Sequence, residues 1–72
     1  MSASARFKDV PDLLGSCAPG YGLREGTHAW IVTYNGRTFR ELPKYQNIEL
    51  GWIRKMIRHL RIDPECAKKY IP

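Results

Sequence analysis

Apolar residues recur every three or four positions from Ile48 to Ile62, and that spacing predicts a helix. At about 100° per residue, Trp52, Ile53, Met56, Ile57 and Leu60 fall within one arc. Arg54, Lys55, Arg58 and Arg61 occupy the remainder, so the helix turns one face to a core and shows positive charge on the other. His59 borders the apolar arc and reads as a packing residue.

Upstream the period changes. His28 to Tyr34 and Arg37 to Leu42 are β-rich runs flanking Asn35-Gly36, the pair preferred in a two-residue type I′ hairpin turn. That turn predicts Tyr34 opposite Arg37, Val32 opposite Phe39, Trp30 opposite Glu41 and His28 opposite Pro43. Trp30, Val32, Tyr34 and Phe39 then share an apolar face, while Ile31, Thr33, Thr38, Arg40 and Leu42 share a mixed one open to water. At this periodicity the aromatic residues, Trp52 included, are expected in the core rather than stacked on bases. Tyr21 to Glu25 predicts a further strand, closed by a turn at Gly26.

Asp9 to Cys17 fits a short helix with Asp9 as N-cap and Pro11 in the first turn, followed by an irregular Gly15 to Gly22 connection. Asp63-Pro64-Glu65 reads as a fresh N-cap with proline at the first position, opening a last helix through Lys69. Met1 to Ala5 is small and polar and is expected to fray. The order helix, two- to three-stranded antiparallel sheet, helix, short C-terminal helix predicts an α+β fold as a single domain over 1–72. That layering is shared by the double-stranded RNA-binding domain.

The 43% apolar and 11% aromatic content support a packed core. Twelve Lys and Arg against seven Asp and Glu leave a net charge of +5, which favours an anionic partner. No run approaches the roughly 18 apolar residues of a membrane span, and the first residues lack the apolar stretch of a signal peptide. A cytoplasmic protein without a membrane partner is therefore expected, with Cys17 and Cys66 as reduced thiols. Together with His28 and His59 they lack the short paired spacing of a zinc site, and no cofactor is indicated.

Gly26-Thr27-His28 stands where a glycine permits close backbone approach and a hydroxyl and an imidazole follow at once. An imidazole suits proton transfer near neutral pH; the plain alternative is a strand-start histidine bonded to backbone. Leu23-Arg24-Glu25-Gly26-Thr27-His28, the strand pair around Asn35-Gly36-Arg37, Pro43-Lys44-Tyr45, Ile48, Gly51 and Ile53 to Arg58 together resemble the HicA family of bacterial toxins. That family has a Gly-Ser/Thr-His motif entering a hairpin, a proline after it and a closing amphipathic helix, and the likeness spans 20–62.

The resemblance implies a fold related to the double-stranded RNA-binding domain, RNA cleavage dependent on the motif histidine, and neutralisation by a HicB-type antitoxin. Carried over by position, His28 is the catalytic residue, with Gly26 and Thr27 shaping its approach to the phosphate. Tyr45 stands where many family members have a second histidine.

Metal-free RNA cleavage needs a base for the 2′-hydroxyl, an acid for the leaving oxygen and positive charge on the phosphate. His28 can fill one proton-transfer role, Glu25 or Glu41 can assist, and Arg24, Arg40 or Lys44 can hold the phosphate. No pair of carboxylates is spaced for a metal-dependent nuclease. The row Arg54, Lys55, Arg58, Arg61 can lie across RNA phosphates or be a solvated basic face. The expectation is a HicA-like, metal-independent endoribonuclease; the alternative is a non-catalytic RNA-binding or protein-interaction module on the same fold.

Overall fold

The computed structural model describes residues 4–70. Its elements are β1 (Ser4–Arg6), α1 (Asp9–Cys17), β2 (Gly22–Glu25), β3 (Ala29–Tyr34), β4 (Arg37–Pro43), β5 (Asn47–Glu49), α2 (Leu50–Leu60) and α3 (Pro64–Ala67). The α+β layout matches the expectation. A three-stranded antiparallel sheet runs in the order β2-β3-β4, and β1 and β5 form a second antiparallel pair. Among the described residues no helix is long and apolar enough to cross a membrane.

One core joins these layers. Val10, Leu13 and Leu14 of α1 meet Val32, Phe39 and Leu42 of the sheet and Leu50, Ile53, Met56 and Leu60 of α2. Each such side chain contributes about 1.5–3 kcal/mol when fully buried. Leu50 replaces Trp52 in the sealed arc of α2, since Trp52 remains only half-buried. The helix starts at Leu50 because Ile48, taken by periodicity as its first residue, is instead the central residue of β5. There Ile48 pairs with Ala5 and is fully buried. Ser4 and Ala5 are thus held by a strand partner rather than frayed, while 1–3 lie outside the described residues.

The hairpin follows its Asn-Gly turn. Asn35 and Gly36 both take positive φ, 56° and 69°, as a type I′ turn requires. Tyr34 pairs with Arg37 and Val32 with Phe39, as alternation predicts. The register then shifts, so that Trp30 pairs with Leu42, not Glu41, and Ala29 rather than His28 lies opposite Pro43. Between the shifted pairs β4 holds one more residue than β3, the sign of a β-bulge. Leu42, placed on the wet face by strict alternation, is fully buried because the bulge returns it to the core face.

Caps close the helices. Lys8, not Asp9, is the flanking residue of α1; it is helical in φ and ψ and makes no side-chain cap, leaving Asp9 and Asp12 within the first turn near the positive helix end. α2 ends with Arg61 at φ 57° and ψ 43°, and the Ile62 N–H donates to the Ile57 carbonyl at 2.9 Å. This is a Schellman ending with arginine where glycine is usual, at a cost of about 1 kcal/mol. Asp63 caps α3 by accepting from the Glu65 N–H at 3.0 Å, with Pro64 in the first turn.

Cys17 and Cys66 form a disulfide, contrary to the expected free thiols. Packing of α3 against the end of α1 brings their Cα atoms to 5.7 Å, within the range a disulfide bridges. Spacing along the chain carries no trace of this, because the two cysteines stand 49 positions apart.

Candidate functional site

The Gly26 N–H donates to the Ala29 carbonyl at 2.9 Å, closing a tight turn between β2 and β3 with Thr27 and His28 at its tip. Both tip residues are exposed. Glycine is required at the base of this turn for space: a Cβ at Gly26 would stand 2.6 Å from the Ala29 carbonyl oxygen and 3.1 Å from Ile31 Cδ1. Among the described residues the His28 side chain has no hydrogen-bond partner, so it is neither a cap nor a strut of the sheet.

The stems of the turn line a groove. Glu25 and Trp30 pair across β2 and β3, and both face an open cleft of about 540 Å³. Phe7 stacks on Trp30 with centroids 5.1 Å apart and planes 20° from parallel. Lys44 crosses from the end of β4 and donates from Nζ to Glu25 Oε2 at 3.0 Å. Tyr45 stands 71% exposed at the rim, and Arg6, Lys8 and Gln46 complete the lining. The Phe7 N–H donates to the Gln46 carbonyl at 2.8 Å and extends the β1–β5 pairing, which delivers Arg6, Phe7 and Lys8 to this place.

Aromatic faces interleaved with cations suit unstacked bases and the phosphates that join them. Trp30 therefore serves two surfaces: it packs on the core, as periodicity predicts, and also borders the groove. Arg6, Phe7, Lys8 and Gln46 were not expected at a site. The alternation Arg6-Phe7-Lys8 was the available signal, but it acquires meaning only when β1 finds β5.

The remaining expected residues do not converge here. Arg24 is exposed on β2 opposite Ile31, and Arg40 is exposed at the bulge. Arg40 borders a shallow depression with Glu41, Lys55 and His59. Lys55 Nζ lies 4.0 Å from Glu41 Oε2 and 4.9 Å from the centre of the Trp52 ring, so Glu41 is a charge partner of α2 and not a member of the His28 turn. His59 donates from Nε2 to the Thr38 carbonyl at 2.9 Å and leans on Phe39, as a packing residue should. Arg54, Arg58 and Arg61 line a different groove, between α2 and α3. The basic row is therefore shared among surfaces: Lys55 reaches toward β4, Arg54 and Arg58 also border with it a second depression beside Glu49 and Trp52, and Arg61 lines only the α2–α3 groove.

Among the described residues no three His, Cys, Asp or Glu side chains gather as a metal site. Comparison with protein-family models, with curated proteins and with solved structures finds no match for this chain. The geometry of turn and groove is what bears on function.

Proposed function

We propose that this chain is a HicA-like RNA-binding protein that cleaves messenger RNA without a metal, with His28 transferring a proton. The observation that carries the reading is a groove of aromatic and cationic side chains, two of whose lining residues, Glu25 and Trp30, are the stems of the turn that bears the exposed His28, although His28 does not itself line it. A single-stranded segment lying in the groove sets a base against Trp30 or Tyr45 and a phosphate near Lys44, Arg6 or Lys8. The 2′-oxygen then forms a bond to phosphorus, the bond to the 5′-oxygen breaks, and a 2′,3′-cyclic phosphate remains. One proton leaves the 2′-hydroxyl and one reaches the 5′-oxygen; His28 handles one of these transfers.

The partners that go with this reading are RNA and a cognate HicB-type antitoxin, and its compartment is the cytoplasm. Cytosolic thiol systems keep most cysteines reduced, so the Cys17–Cys66 dithiol is the form that belongs to that compartment and the disulfide to an oxidising one.

A second reading, the non-catalytic RNA-binding module, is favoured by the Glu25–Lys44 ion pair and by Tyr45. They leave His28 without a second free proton-transfer group at the turn. Incubating RNA with the protein in chelator separates the two. Cleavage that falls by a factor of about 10² to 10⁴ in His28→Ala supports the enzyme. RNA that stays intact while bound selects the binding module.

A further inference from the structure

A groove of about 800 Å³ lies away from the His28 turn, between α2 and α3. Its floor is aliphatic. The exposed Pro64 and the edges of the core residues Ile57, Ile62 and Ala67, each less than a tenth exposed, form it, and no aromatic ring lines it. Arg54 and Arg58 lie one turn apart on α2, about 6 Å along its axis, and Arg61 follows just past the helix end on the same edge. Lys68 stands on the opposite edge.

The rim is an unpaired positive field. Among the described residues no carboxylate lies within ion-pair distance of Arg54, Arg58 or Arg61. Lys68 meets only Glu65, at 3.2 Å, in an exposed pair of little worth. Both walls are preset whatever the state of the cysteines: the Ile62 N–H bond to Ile57 holds the floor, and the Asp63 cap, the buried Ala67 and the Tyr70 hydroxyl bond to Ser16 hold α3. A preset groove spares its partner the entropy of ordering it.

We infer that the α2–α3 groove docks an acidic amphipathic helical segment of a partner protein. Charge complementarity decides the sign of that partner, and the floor decides its class. RNA offers no aliphatic group for Ile57 and Ile62, and the floor offers bases no ring to stack on. An amphipathic helix seats one apolar face in such a groove. Its carboxylates then meet the arginines as charge-assisted, bidentate pairs. The inference is independent of the RNA reading, because none of these residues belongs to the turn or its groove.

The test uses the full chain in non-reducing buffer and a labelled, helix-stapled synthetic peptide with a leucine stripe flanked by glutamates. The controls carry lysine for each glutamate, or serine for each leucine. Anisotropy should show the acidic peptide binding at least about tenfold tighter than either control, and Arg58→Glu should weaken it by about tenfold or more. Arg61→Gly should weaken it a few-fold while raising the unfolding midpoint, since glycine is relieved of the left-handed strain. Loss of binding in that variant therefore cannot be loss of fold. Chemical-shift changes should centre on Ile57, Ile62 and Ala67. An acidic peptide that binds no better than the controls overturns the inference. So does peptide binding indifferent to Arg58→Glu while RNA binding is lost, which would assign the face to RNA.

Discussion

Asn35 donates from Nδ2 to the Leu60 carbonyl oxygen at 3.1 Å, so the residue that makes the hairpin turn also satisfies an end carbonyl of α2. A turn and a helix terminus 25 positions apart are thereby tied by one amide. Asn35→Asp tests the tie, because aspartate keeps much of the turn preference but loses the donor and puts negative charge at a helix C-terminus. Urea unfolding should show a loss of about 1–2 kcal/mol. A loss equal to that of a solvent-facing Asn→Asp control would mean the bond contributes nothing.

Gly26→Ala should deform the β2–β3 turn, since its new methyl would meet backbone and not a yielding side chain, 2.6 Å from the Ala29 oxygen. The expected cost is about 1–3 kcal/mol. Amide shifts should concentrate at Thr27, His28 and Ala29, and RNA affinity should drop along with them. Gly15→Ala is the matched control, because a Cβ there meets nothing within 4 Å. If both variants behave alike, close approach is not the reason for glycine at the turn.

The parts of this architecture that rest on local chemistry were legible in the sequence. Asn35-Gly36 specifies its turn through two positive φ values, Asp63-Pro64 its cap, and the arc Ile53, Met56, Ile57, Leu60 its buried face. What was not legible depends on meetings between distant segments. Ile48 continues the helical period of α2, yet a strand partner in Ala5 outweighs that preference. The bulge in β4 leaves no compositional mark, and it alone moves Leu42 from the wet face to the core. For the same reason the His28 turn could be found from Gly26-Thr27-His28, whereas the groove beside it could not. Three of its eight lining residues, Arg6, Phe7 and Lys8, are brought there by β1, whose Ser4 and Ala5 read from composition as part of a frayed end.

Glu25→Gln should release Lys44 from its 3.0 Å ion pair and leave a free cation in the groove. RNA affinity should rise about three- to tenfold at moderate salt, and the slope of log K against log salt should steepen by somewhat less than one unit. Folding stability should change by less than about 1 kcal/mol, because the pair is exposed. Salt-dependent anisotropy with a short single-stranded RNA measures both. Unchanged affinity would place the phosphate away from Lys44.

Opening the Cys17–Cys66 bond should be the largest single loss of stability available to this chain. The bond closes a loop of 49 positions, for which the chain-entropy account gives about 4 kcal/mol. A 72-residue domain has roughly 4 to 11 kcal/mol in all. Reduction therefore removes a large part of the total, and it should act first on α3, whose single turn is held by the bond to α1 and by the Tyr70 hydroxyl's 2.6 Å hydrogen bond to Ser16. With an m-value of about 1 kcal/mol per molar urea, the midpoint should fall by at least about 2 M in reductant, and equally in a Cys17→Ser, Cys66→Ser variant. Hydrogen exchange should show amides of 64–70 losing protection before those of α2. A midpoint that moves by less than about 0.5 M would mean that Leu13, Leu14 and Ala67 hold α3 in place by packing alone, with the sulfurs adding little.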